Sequence, residues 1–94
     1  MDRIRESGRL TARDVYGADG FVAHYTTDAW WFTNPLGRSQ YGMWVMGGAW
    51  STRHLWEHYL FSRDTEFLRE RAYPALQDAA AFLLDWLVPD PETG

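Results

Sequence analysis

Apolar and polar positions follow one another along this chain in two rhythms, with the change near residue 48. Before it, the segments are short and broken by glycine. Residues 1–8 are charged and weakly patterned, and read as the tail of a helix. Leu10 to Tyr16 has room for two helical turns, stopped by Gly17 and Gly20. Phe21-Val22-Ala23-His24-Tyr25 is short, β-prone and extended, and Thr26 to Gly37 follows as a long irregular loop with a turn at Asn34-Pro35-Leu36-Gly37. From about Gly48 the helical period takes over. Trp50, His54, His58 and Phe61 fall on one stripe, Trp56 and Leu60 on its neighbour, and the helix ends near Ser62. Asp64 is placed to cap a short helix, with Glu66 in its first turn suiting the dipole. Pro74 opens the last helix, where Leu76, Ala79, Ala80, Leu83 and Leu87 share a face that Phe82 and Trp86 widen, until Pro89 and Pro91 end it.

The pattern predicts a mainly α chain: a helix, a long irregular loop, then two or three antiparallel helices. There is no short-period repeat and no low-complexity tract. A helix apolar around most of its circumference, like the last one, is buried on nearly all sides. Its few companions here cannot cover it, so residues 1–94 are expected to form a partial domain rather than a complete one.

At 94 residues the chain is one domain at most, and 46% hydrophobic content is ordinary for folded protein. Nine basic residues, all Arg, against thirteen acidic ones give a net charge of −4, which argues against nucleic acid as a partner. The absence of cysteine removes disulfide frameworks and thiolate metal sites and leaves the compartment open. No apolar run approaches the ~18 residues of a membrane span, so no membrane partner is expected. The N-terminus has no apolar core of a signal peptide. Localisation stays open, a secreted or periplasmic whole protein included.

The aromatic content changes the picture most. Six Trp, five Tyr and five Phe stand against a single isoleucine, Ile4, whereas a small core is built mainly from Leu, Ile and Val. The passage Tyr41-Gly42-Met43-Trp44-Val45-Met46-Gly47-Gly48-Ala49-Trp50, continuing into His54-Leu55-Trp56-Glu57-His58-Tyr59, sets flat rings beside imidazoles and a carboxylate. Rings stack on the C–H face of a sugar while polar groups fix its hydroxyls. A second cluster, His24-Tyr25-Thr26-Thr27-Asp28-Ala29-Trp30-Trp31, lies where the extended segment enters the loop, and such loops carry function more often than packing does. Its bland reading is an Asx-turn at Asp28 with the Trp pair in the core. Tyr41 and Trp44 serve equally as stacking platforms or core aromatics; Trp50 and Trp56, at helical spacing, read as core.

Other chemistry finds less support. His54-Leu55-Trp56-Glu57-His58 matches the H-x-x-E-H pattern of a zinc metallopeptidase, with both imidazoles on one helical face. A catalytic zinc needs a third protein ligand, and none is evident. Burial of His54 and His58 between helices, with Glu57 near an imidazole, is the better expectation, and no metal is expected. No G-x-S-x-G elbow occurs. Gly47-Gly48 is no phosphate loop and reads as a tight turn into the helix.

Gly20-Phe21-Val22-Ala23-His24, Thr27-Asp28-Ala29-Trp30, Tyr41-Gly42-Met43-Trp44, Met46-Gly47-Gly48-Ala49-Trp50, His54-Leu55-Trp56-Glu57-His58-Tyr59 and Asp85-Trp86-Leu87 occur in that order. The ordered set resembles the catalytic domain of glycoside hydrolase family 95, the inverting α-L-fucosidases, some of which act on α-L-galactosides. The resemblance runs from about Leu10 to Gly94. It departs from the family at Tyr25 and Thr26, where a second His and an Asn are usual, and at Val45, where a Pro is usual; these positions bear on substrate preference.

The resemblance implies part of an (α/α)6 barrel lying between β-rich flanking domains. It also implies hydrolysis in which a Glu acid protonates the leaving oxygen while paired Asn side chains and an Asp activate a water on the opposite face. No cofactor is implied. The family's N-x-N pair has no counterpart, since Asn34 is the only asparagine, and the S-P-E-N segment holding the acid would follow Gly94. No catalytic residue is therefore carried over, and the segment alone is expected to be inactive. The positions that match are His24, Thr27, Asp28, Trp30, Tyr41 and Trp44, as substrate-binding or pocket-supporting residues. The implied partners are a fucosylated oligosaccharide or glycan and the remainder of the barrel. The competing readings are the zinc site on His54, Glu57 and His58, and a non-catalytic helical module that binds sugar or partner helices.

Overall fold

The first rod is built from α1 (Asp2–Thr11) and a π-helical turn at Ala12–Tyr16, joined without a break at Ala12 (φ −58°, ψ −47°). The computed structural model describes residues 1–37 and 39–94, without the side chains of Ser39 and Tyr41. Gly17, at φ 62°, ends the rod in the left-handed conformation, its amide donating to the Arg13 carbonyl at 3.0 Å while that of Ala18 donates to Ala12 at 3.0 Å. What reads in sequence as a charged tail and a two-turn helix is thus one element.

Phe21 to His24, expected to be extended, forms no helix, and no strand is present among the described residues. Its backbone bonds to helices instead. The Phe21 amide donates to Asp78 (3.2 Å), that of Val22 to Gly8 (3.2 Å), and the Ala23 carbonyl accepts from Gly48 (3.1 Å). With no second strand to pair with, the segment satisfies its polar groups against the three helices around it. Phe21, Val22, Ala23 and His24 are all buried. Val22 joins Ala12 and Phe82 in the core, with Tyr16, Ala18, Val45 and Leu83 packed against them.

After the short α2 (Ser39–Gly42), α3 (Gly47–Ser62) occupies the predicted span. Its packing face differs from the expected one. Gly48 and Thr52 are buried and Leu55 and Tyr59 partly so, whereas Trp50 is 58% and Phe61 91% exposed. His54 and His58 are also exposed, against the expectation of burial between helices. The apolar period was readable, but the small residues allow the closer approach, and they chose the face. Arg63 ends α3 in the left-handed region at φ 56°.

Asp64 caps the next rod as predicted, Oδ1 accepting from the Phe67 amide at 3.0 Å. That rod runs through α4 (Thr65–Phe67), a π-helical turn at Leu68–Ala72 and α5 (Tyr73–Trp86). Pro74 stands in the first turn of α5, as predicted, although the rod already runs through the π-helical turn before it. A proline ring collides with the carbonyl four residues back in a regular α-helix, and the widened turn directly before Pro74 makes room. Ala72, Ala75, Ala79 and Phe82 form the buried face; Ala80, expected there, is exposed, and Leu87 is 69% exposed beyond the last turn. Asp78 binds Arg5 (3.0 Å) and Arg9 (2.5 Å), clamping α1 to α5.

The result is a slab of 41 × 38 × 20 Å. It exposes 6774 Å², where a folded monomer of this mass exposes about 5,600 Å². Leu84 (71%), on the helix whose sequence is too apolar for an outer position, and Val88 (84%), just past its end, contribute.

Candidate functional site

Gly47 meets the backbone of the Phe21–His24 segment so closely that a Cβ there would lie 2.5 Å from the His24 carbonyl oxygen and nearer still to that of Ala23. Since the backbone of Met46 is right-handed helical and Gly47 has no positive φ, the expected tight turn is not what the glycine provides. It provides contact. That contact sets a cleft of about 180 Å³ between the N-terminus of α3, the Ala23–Thr27 passage and α1, lined by Ile4, His24, Thr26, Thr27, Trp44 and Trp50 among others. The Trp44 and Trp50 rings lie 6.1 Å apart at 53° and form its aromatic wall.

His24 is 5% exposed and held at both nitrogens. Nδ1 lies 2.7 Å from the Thr33 carbonyl, which can only accept, so Nδ1 carries the proton. Nε2 therefore accepts from the Tyr16 hydroxyl at 2.6 Å. Tyr16 in turn stands edge-on to Phe82 and Trp86, both at 5.3 Å, and so links the imidazole to α5. Burial pushes the Tyr16 phenol above its ordinary value, which keeps it a donor. Behind His24, the Thr33 hydroxyl lies 2.7 Å from that of Thr11 and 3.1 Å from that of Ser7, and no buried side-chain polar atom among the described residues lacks a partner. His24 is thus a rigid part of the cleft floor with a fixed tautomer.

Of the expected binding residues, His24, Thr27 and Trp44 come together in this cleft. The side chain of Tyr41 lies outside the described residues. Asp28 organises the loop: Oδ1 accepts from the amides of Trp30 (2.9 Å) and Phe32 (3.3 Å), the Asx-turn foreseen as its bland reading. The Trp pair does not fill a core. Trp30 is 84% and Trp31 37% exposed, and both line a separate groove with Arg3 and Glu6. Sequence reasoning missed three contributors. Trp50 reads as core on its helical spacing, although it follows Trp44 by only six residues; Ile4 is brought in by α1, which no local pattern reveals; and Tyr16 carries no signal except being a phenol near a histidine.

The cleft lining contains no carboxylate among the described residues, so it offers grip without a general acid. Two rings and several hydroxyls suit a neutral sugar. The zinc pattern is not assembled: Glu57 turns to Arg53 (3.1 Å), His54 stands edge-on to Trp50 (5.4 Å), His58 rests on Phe67 (4.4 Å), and no group of three ligating side chains forms among the described residues.

The family model "Glycosyl hydrolase family 95 catalytic domain" matches residues 1–94. Alpha-L-fucosidase 2 of Arabidopsis thaliana is 46% identical over 89 residues, which is 94% of this chain and 11% of the relative. Probable alpha-fucosidase A of Aspergillus niger is 34% identical over 84 residues, 88% of this chain and again 11% of the relative. The chain thus spans about 11% of the length of either. Mainly helical, and matched by the family model from end to end, the chain belongs to glycosyl hydrolase family 95, within its catalytic domain.

Proposed function

We propose that residues 1–94 are one part of an (α/α)6 catalytic barrel that removes terminal α-L-fucosyl residues from glycans with inversion, and that the remainder of the barrel supplies the acid and the water-activating groups. The cleft beneath Trp44 and Trp50 is then one wall of the sugar pocket, with His24 and Thr27 on its floor and Asp28 shaping the loop that leaves it. The observation that carries this reading is the family match across the whole chain, falling on a cleft whose chemistry is that of a sugar site without catalytic carboxylates. The excess exposed apolar surface supports further protein around it.

Two samples test the reading: the 94-residue chain alone, and a chimera in which it replaces the matching stretch of the Arabidopsis relative. The chain alone should aggregate, oligomerise or lack fixed packing, and should not hydrolyse a chromogenic α-L-fucoside. The chimera should. Turnover by the chain alone, or a folded chimera inert where the parent is active, contradicts the proposal.

A further inference from the structure

His24 lines a cleft suited to gripping a sugar, yet its imidazole has nothing left to grip with. A neutral ring offers one donor and one acceptor. The donor, Nδ1–H, goes to the Thr33 carbonyl at 2.7 Å, and the acceptor, Nε2, takes the Tyr16 hydroxyl at 2.6 Å. A sugar hydroxyl could reach either nitrogen only by displacing one of these partners, which would then be left unpaired in a place where His24 is buried. Proton exchange with a substrate meets the same obstacle.

Both partners are themselves fixed from outside the cleft, and from opposite sides. The Tyr16 ring stands edge-on to Phe82 and Trp86 of α5. Thr33 is 1% exposed, and its hydroxyl lies within hydrogen-bonding distance of Thr11 and Ser7 on α1. The Thr11 hydroxyl also reaches Asn34 Oδ1 at 3.2 Å, so the chain just beyond Thr33 is tied to the same point. The imidazole therefore hangs between α5 and α1. Its own backbone lies against Gly47, at the start of the helix that carries Trp50, and two residues further on stand Thr26 and Thr27, which line the cleft. Wherever the ring is held, the aromatic wall and the hydroxyls of the cleft are held with it.

We infer that Tyr16 and Thr33 are positioning residues for the sugar cleft. Through opposite nitrogens they fix His24, which bonds to no sugar hydroxyl itself and instead sets the place of Thr26, Thr27 and the α3 N-terminus. The inference rests on the sugar-pocket reading and deepens it.

The chimera supplies the test, with α-L-fucosyl fluoride as substrate. The cleft lining contains no carboxylate among the described residues, so a displaced ring weakens the ground state and the transition state alike, and KM should rise while kcat holds. Tyr16→Phe should raise KM about tenfold and leave kcat within about twofold. Thr33→Val removes the hydroxyl, nearly keeps the shape, and should raise KM about three- to fivefold. Thr33→Ser restores the hydroxyl and should bring KM to within about twofold of the parent, although its missing methyl keeps the thermal midpoint low. Asp78→Ala lowers the midpoint from outside the cleft and should leave KM unchanged. An unchanged KM in either Tyr16→Phe or Thr33→Val overturns the inference. So does a KM that merely follows the midpoint across all four variants, since that is the mark of a structural role. If Tyr16→Phe does not fold, the Thr33 pair decides alone. Binding of L-fucose, followed by tryptophan fluorescence, separates this inference from the reading beneath it. A folded but inert chimera that bound L-fucose more weakly as Thr33→Val than as Thr33→Ser would sink the fucosidase reading and leave the positioning role standing. An inert chimera without that difference sinks both.

Discussion

Replacing Gly47 with alanine sets two effects of opposite sign against each other. Helix propensity alone favours the change by about 0.8–1.0 kcal/mol, because glycine in a helix costs that much relative to alanine. Against it stands the new Cβ, 2.5 Å from the His24 carbonyl oxygen and also in collision with that of Ala23. Relief requires α3 and the Phe21–His24 segment to part by roughly 0.7 Å, and overpacking of this kind costs about 1–3 kcal/mol. The Gly48 amide, now 3.1 Å from the Ala23 carbonyl, would move out of hydrogen-bonding range, a further loss of about 1 kcal/mol. The clash involves backbone on both sides, so no rotamer change absorbs it. Gly47→Ala should therefore destabilise by about 1–3 kcal/mol net, and the floor of the cleft should shift with it. Thermal midpoint and kcat/KM, measured in the chimera, read both consequences. Gly17→Ala is the control: a Cβ there meets nothing within 4 Å, and only the left-handed backbone at φ 62° resists it. That variant should lose about 1 kcal/mol without a change in KM. A Gly47→Ala protein that is more stable than its parent, with KM unchanged, refutes the close-approach argument.

Tyr16→Phe leaves the buried Nε2 of His24 without its donor and should cost about 1–3 kcal/mol, seen as a lower thermal midpoint. The same substitution tests the phenol. Its folded value is raised above 10.0 by burial, so its contribution is complete below pH 10.0 and is lost as the pH rises through the higher folded value. The midpoint of the parent should fall in that window more steeply than that of Tyr16→Phe. Asp78→Ala removes the carboxylate between Arg5 and Arg9 and should destabilise by about 1–2 kcal/mol, less in high salt because Arg9 is half exposed; no loss would mean that the clamp between α1 and α5 is ornamental.

Local chemistry was the legible part of this chain. The Asp64 cap, the Gly17 stop and the span of α3 depend on neighbours within a few residues, and each was readable from the residues themselves. Which face of a helix turns inward depends on the partner. Trp50, His54, His58 and Phe61 share a period with Gly48 and Thr52, and only the approach of the Phe21–His24 backbone decides that the small residues face it. Asp78 shows the same limit, since nothing near it in sequence announces Arg5 and Arg9 some seventy residues earlier. The lining of the cleft was only partly legible. His24, Thr27 and Trp44 converge, whereas Asp28 acts through its loop and Trp30 faces another groove, because a left-handed residue at Trp31 redirects the chain in a way composition does not encode.

The central claim is that these residues build a wall of an inverting fucosidase pocket, and the anomer released by the chimera tests it most directly. Proton NMR recorded within the first minutes of α-L-fucosyl fluoride hydrolysis distinguishes the two products before they interconvert. The account predicts β-L-fucose as the first product. α-L-Fucose as first product, or a folded chimera that releases none where the parent enzyme does, would contradict it.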